Sequence, residues 1–161
     1  MGRVLLGLLL ALPAVAAPTS APVVQDWLPT MEKSADGAWV VELKLKRCLI
    51  PELDTEVLPL RADKAADCER LNRATRVIRE SGIRRLRLKT GKYVFRVRNL
   101  DVPWALDLEL RGAHDKSLPL TQGGHIEAGQ VYEYPITLAP GVYVLRSPLN
   151  ATYLYDVLVE E

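Results

Sequence analysis

From Ala38 onward, apolar and polar residues alternate in short runs set apart by turn-forming residues. Trp39, Val41, Leu43 and Leu45 interleave with Val40, Glu42, Lys44 and Lys46, the two-residue period of a strand with one face buried. The same period predicts a strand over Ile83–Lys89 with Leu86 and Leu88 inward. A Thr90-Gly91 turn leads into Tyr93–Asn99, with Tyr93, Phe95 and Val97 inward. After Pro103, Trp104, Leu106, Leu108 and Leu110 alternate with Ala105, Asp107, Glu109 and Arg111. The last third is the most tightly punctuated. It reads as a strand (Val131–Leu138), a Pro140-Gly141 turn, a strand (Val142–Leu145), a proline-interrupted loop (Ser147–Ala151) and a closing strand (Thr152–Val159). About seven short strands separated by turn signals predict an all-β sandwich.

Two stretches break the alternation. Ile50–Leu60 reads as a loop carrying Glu52, Asp54 and Glu56, and residues 63–81 as one helical insertion. Cys68, Leu71, Thr75 and Ile78 fall on one face of that helix at spacings of three and four, while Arg70, Arg73, Arg76 and Arg79 line another. Gly82 is placed to end it as a left-handed cap. Gly112 to Gly124 reads as a polar excursion containing His114, with His125 just after it.

The first residues change the picture of where the chain works. Arg3, the apolar run Val4–Leu12, Pro13 and the small residues Ala14-Val15-Ala16 form a secretory signal pattern, residues 1–17, cut after Ala16 or Ala17. The apolar run is too short to span a bilayer, so no stable membrane insertion is expected after cleavage. Residues 18–37, with three prolines at Pro18, Pro22 and Pro29, read as an extended leader to a single domain over 38–161. Removing Arg3 from 21 basic residues leaves 20 against 20 acidic ones. A neutral chain gives no general reason to expect nucleic acid as a partner. The only cysteines are Cys48 and Cys68. Export into an oxidising compartment favours a disulfide between them, which would staple the helix to the end of the first strand; a thiol ligand for a metal is the alternative.

The order of these signals resembles the cupredoxin domains. RLRLKTGKYVFRVRNLDVPWALDLEL is similar to their strand, glycine turn, strand ending in Asn, and Pro-led strand bearing the first copper histidine. AGQVYEYPITLAPGVYVLRSPLNATYLYDVLVEE is similar to their Pro-Gly-x-Tyr turn, ligand loop and last strand. The implied fold is a Greek-key β-sandwich of the cupredoxin type. Within that family the chain resembles the cupredoxin domain of the periplasmic subunit of Efe-type bacterial iron uptake. The carrying residues are Lys46-Arg47-Cys48, Ala105-Leu106-Asp107-Leu108-Glu109 and Pro140-Gly141-Val142-Tyr143. The resemblance also locates departures. Trp104 stands where the first copper histidine would be, Ser147 where the ligand cysteine would be, and Thr152 where the second histidine would be. Two imidazoles and a thiolate make a blue-copper site, and an indole and two hydroxyls do not replace them. Ser147 also stands at the second cysteine of the Efe-type pattern, leaving Cys48 to pair with Cys68.

The remaining candidate chemistry is sparse. His114, His125, Asp107 and Glu109 are the residues that could form a relocated copper or iron site, against a reading as solvated loop and strand residues. In the Efe-type resemblance, acidic residues near Asp107 and Glu109 belong to a cation site. Arg70, Arg73, Arg76 and Arg79 could dock an acidic partner or anionic lipid head groups, against a reading as a solvated helix face with pairs such as Glu69–Arg73 and Arg76–Glu80. Asn150-Ala151-Thr152 is a glycosylation sequon. No nucleophile elbow, catalytic carboxylate pair, Walker or zinc-protease spacing occurs. The expectation is a secreted or periplasmic, non-catalytic binding or accessory protein with an envelope partner, linked through the resemblance to iron or copper acquisition. A metal carrier with a relocated site and a structural docking module are the alternatives.

Overall fold

The computed structural model describes residues 25–55 and 60–161. The expected signal peptide 1–17, leader residues 18–24 and Glu56 lie outside them. Ten strands and one helix follow in order: β1 (Gln25–Trp27), β2 (Glu32–Lys33), β3 (Trp39–Leu45), α1 (Ala65–Glu80), β4 (Arg84–Lys89), β5 (Gly91–Asn99), β6 (Leu106–Gly112), β7 (Thr121–Ile126), β8 (Val131–Leu138), β9 (Gly141–Arg146) and β10 (Tyr155–Glu160). They form two sheets, ordered β1-β4-β10-β9-β6-β7 and β2-β3-β5-β8. The chain changes sheet at each step from β3 to β6 and again on either side of β8. The β3–β5 and β4–β10 pairs are therefore parallel, whereas β9 runs antiparallel to both β10 and β6.

Alternation sets what fills the sandwich. Val41, Leu43 and Leu45 of β3, Phe95 and Val97 of β5, and Leu106, Leu108 and Leu110 of β6 are buried together with Leu86, Leu145, Val157 and the rings of Tyr93, Tyr134, Tyr143 and Tyr155. These are the inward positions that period two assigns, and their burial is the main favourable term in folding. Trp39 differs. It begins β3 at the mouth of the sandwich, 36% exposed, with the Lys33 ammonium 4.7 Å over its ring.

The expected leader is partly built into the sheets. β1 pairs with β4 and β2 with β3, because an open sheet edge offers backbone groups that a short segment can satisfy whatever its side-chain pattern. The polar excursion likewise contains β7, paired with β6 through a register shift between Leu106 and Leu108. Gly123 and Gly124 hide this strand from a pattern-based reading. Both have positive φ, near +105° and +102°, and a Cβ on Gly124 would lie 2.3 Å from the Tyr134 hydroxyl. That hydroxyl donates to the Gly123 carbonyl at 2.7 Å.

The helix departs most from its expected orientation. Its buried residues are Cys68, Asn72 and Arg79, while Ile78 is 56% and Val77 86% exposed. Arg79, expected in an outward basic row, is fully buried and forms an ion pair with Asp54, itself fully buried. The guanidinium also donates to the Asn72 side chain and to the Cys48 carbonyl at 3.3 Å, with the Tyr153 ring 4.4 Å away. A fork of donors placed against a carboxylate and two further acceptors explains why Arg can occupy an interior position. Gly82 ends the helix without a left-handed φ. It is buried, and its carbonyl accepts from both the backbone NH and the hydroxyl of Thr55, so tertiary hydrogen bonds terminate α1.

Candidate functional site

One end of the sandwich collects the residues singled out by the sequence. There β3 and β5 finish, β6 and β10 begin, and β9 leads into a single 3-10 turn, Pro148–Asn150. Asn99, at the end of β5, is the buried organiser. Its amide donates to the carbonyls of Val102 (3.1 Å), Trp104 (3.3 Å) and Ile126 (3.0 Å), and its carbonyl oxygen accepts from the Val102 NH at 2.9 Å. This fixes the loop that carries Trp104. Asn150 plays the matching role on the other side, accepting from the Cys48 NH at 3.0 Å and donating to the Lys46 carbonyl at 2.7 Å. Its side chain is fully buried, so the sequon is not an accessible acceptor in the folded chain.

Between these anchors the expected copper-ligand positions meet. The Trp104 indole NH donates to the Leu149 carbonyl at 2.9 Å. The buried Ser147 donates its hydroxyl to Asp107 at 3.3 Å, and its backbone NH donates to the Thr152 hydroxyl oxygen at 2.9 Å. Asp107 takes a second bond from the Leu149 NH at 2.8 Å. Burial raises the Asp107 pKa above the ordinary carboxylate value, with the Leu149 NH and the Ser147 hydroxyl acting in the opposite direction. The donor set is thus an indole, two hydroxyls and one carboxylate, each engaged with protein. It does not fit type 1 copper, which requires imidazole and thiolate ligands.

The other predicted site residues are dispersed. Glu109 is only 12% exposed and accepts from Arg146 Nε at 2.6 Å and Arg111 Nε at 2.8 Å; it is not the solvated strand residue expected from alternation. His114 is exposed, and the exposed His125 has Nε2 3.5 Å from Glu127 Oε1. Among the described residues no group of three or more His, Cys, Asp or Glu side chains is placed to hold a metal ion. His114, His125, Asp107 and Glu109 therefore do not assemble into one centre. Cys48 and Cys68 form a disulfide with Cα atoms 4.9 Å apart. It packs with Ala62, Leu60, Leu71, Trp104 and Ala151 in a small cluster of its own, which removes both thiols as metal ligands. Of the arginine row, Arg70 lies 3.5 Å from Asp67 and Arg76 pairs with Glu80, Arg73 is exposed, and Arg79 belongs to the interior.

The Arg79–Asp54–Asn72 group is the element that sequence reasoning missed. A basic residue at helical spacing reads as solvent-facing, and Asp54 lies 25 residues away in a loop without periodicity. The available signal was the polar Asn72 and Thr75 on the stripe that also carries Cys68.

No protein-family model matches the chain, and no curated protein sequence matches it. Among solved structures the chain is similar to a multicopper oxidase crystal structure, with 14% identity and a TM-score of 0.42 over 82% of this chain and 46% of that one, so it spans less than half of the oxidase's length.

Proposed function

We propose that the chain is a cell-envelope binding or accessory protein, built on a cupredoxin-type sandwich, that works without a type 1 copper centre. The observation that carries this reading is the loop end itself. The positions that the sequence resemblance assigns to copper ligands do converge there, but as Trp104, Ser147 and Thr152, tied to Leu149, Asp107 and one another. Such an arrangement stiffens a scaffold and leaves no open coordination position. An envelope location is supported by the signal pattern of residues 1–17 and by the Cys48–Cys68 disulfide. A link to iron or copper acquisition rests on the Efe-type resemblance alone.

The partner surface in this reading is the outer face of α1. Arg70, Arg73 and Arg76 flank Val77 and Ile78 there, combining positive charge with apolar side chains left in water, as suits an acidic protein partner. With the mature chain as bait in an envelope extract, reversing Arg73 and Arg76 to Glu is expected to reduce partner recovery by roughly tenfold or more. Recovery equal to that of the unaltered chain contradicts the assignment of this face.

A further inference from the structure

At the opposite end of the sandwich, where β3 and β5 begin and β10 ends, the two sheets stand apart around a cavity of about 460 Å³. Leu28, Pro29, Met31, Trp39, Leu88 and Tyr93 form its apolar walls. Leu88 and Tyr93 belong to the buried core, whereas Leu28 is 73% exposed at the mouth. Leu28, Pro29 and Met31 lie in the segment joining β1 to β2, so residues of the expected leader make one wall.

The polar groups around this cavity are satisfied by each other. Arg87 donates to Asp26 at 2.8 Å and to Glu160 at 2.6 Å. The Tyr93 hydroxyl donates to the Lys89 carbonyl at 2.8 Å and accepts from the Lys89 NH at 3.2 Å. Lys89 Nζ donates to the Glu161 carbonyl at 2.5 Å. With these charges already paired within the protein, the apolar walls are the surface left for a ligand to contact. The volume falls in the range of small-molecule sites, about 300–1,000 Å³, which are concave and mainly apolar. Leu28 and Trp39 leave apolar surface in water at the mouth, and a seated ligand would cover it. Met31 adds an unbranched, deformable wall that adapts to ligand shape.

We infer that this cavity binds a neutral, largely apolar small molecule, at a site separate from the loop end and from the outer face of α1. The experiment titrates the mature chain with N-phenyl-1-naphthylamine, a neutral apolar fluorophore, and follows its emission on excitation of the protein's tryptophans, since Trp39 lines the site. Saturable binding at one site with micromolar affinity is expected. Leu28→Asp, at an exposed position, and Met31→Trp, which fills the cavity, are each expected to weaken it by tenfold or more, with thermal unfolding of Leu28→Asp unchanged. Absence of saturable binding overturns the inference. So does binding that both variants leave unaltered, which would place the probe elsewhere on the protein.

Discussion

Replacing Asp54 with Ala is expected to destabilise the protein by about 3–5 kcal/mol, measured by urea denaturation, because it leaves the Arg79 guanidinium as a buried charge without its carboxylate. Both side chains are fully buried, so solvent does not screen the loss. Arg79 remains in contact with Asn72 and the Cys48 carbonyl, which are neutral acceptors and do not neutralise it. Arg79→Met is expected to cost a similar amount by removing the guanidinium that faces the buried Asp54 carboxylate. The double variant Asp54→Ala with Arg79→Met removes both charges at once, and its cost should fall short of the sum of the single variants by about 1–3 kcal/mol, the coupling of neighbours in one network. Arg79→Lys should not rescue the site, since an ammonium cannot reach three acceptors with the geometry of a guanidinium. Single variants that lose less than about 1 kcal/mol would place the pair in a solvated surface rather than an interior.

The second large effect concerns the disulfide. Cys48 and Cys68 are 20 residues apart, and a crosslink closing a loop of that length contributes about 3 kcal/mol by restricting the unfolded chain. The native turn has independent support: Asn150 holds the Cys48 NH and the Lys46 carbonyl, and Arg79 holds the Cys48 carbonyl. Removing the crosslink with Cys48→Ala and Cys68→Ala should therefore leave the native circular dichroism spectrum unchanged and lower the urea midpoint by roughly 1–3 M, given slopes of about 1–3 kcal/mol per molar for small domains. Loss of the native spectrum in the double variant would show instead that the bond holds α1 on the sandwich.

How far the fold was legible follows from what each element depends on. Leu106, Leu108 and Leu110 of β6, or Tyr93, Phe95 and Val97 of β5, carry their orientation in a two-residue period, and the structure buries each of them. The turn at Pro140-Gly141 and the closing strands follow from local chemistry in the same way. β1, β2 and β7 do not. Their existence depends on sheet edges formed by residues far away in the chain, and Gly123 and Gly124 contribute no side-chain pattern at all. In α1 the period was correct but the phase was not. Ile78 was expected inside and Arg79 outside, and the structure exchanges them because Asp54 supplies a carboxylate that helical periodicity cannot reveal. At the loop end, the sequence order brought Trp104, Ser147 and Thr152 to one place, yet the bonds of Ser147 to Asp107 and of Trp104 to Leu149 depend on the path of the 3-10 turn. The residues named for a relocated metal site are dispersed for a related reason. His114 and His125 are close in sequence and near carboxylates, but β7 and the preceding loop leave both exposed without a third donor.

In the function proposed here the loop end is a closed hydrogen-bonded cluster rather than a metal centre. The most direct test is equilibrium dialysis of the mature, disulfide-bonded protein against Cu(I), Cu(II), Fe(II), Fe(III) and Zn(II), with metal content read afterwards by mass spectrometry. No stoichiometric retention of any of these ions at micromolar concentration is expected, for the unaltered chain and for the His114→Ala, His125→Ala double variant alike. A full equivalent of copper or iron retained by the unaltered chain and lost in an Asp107→Asn variant would show instead that the loop end is a metal site.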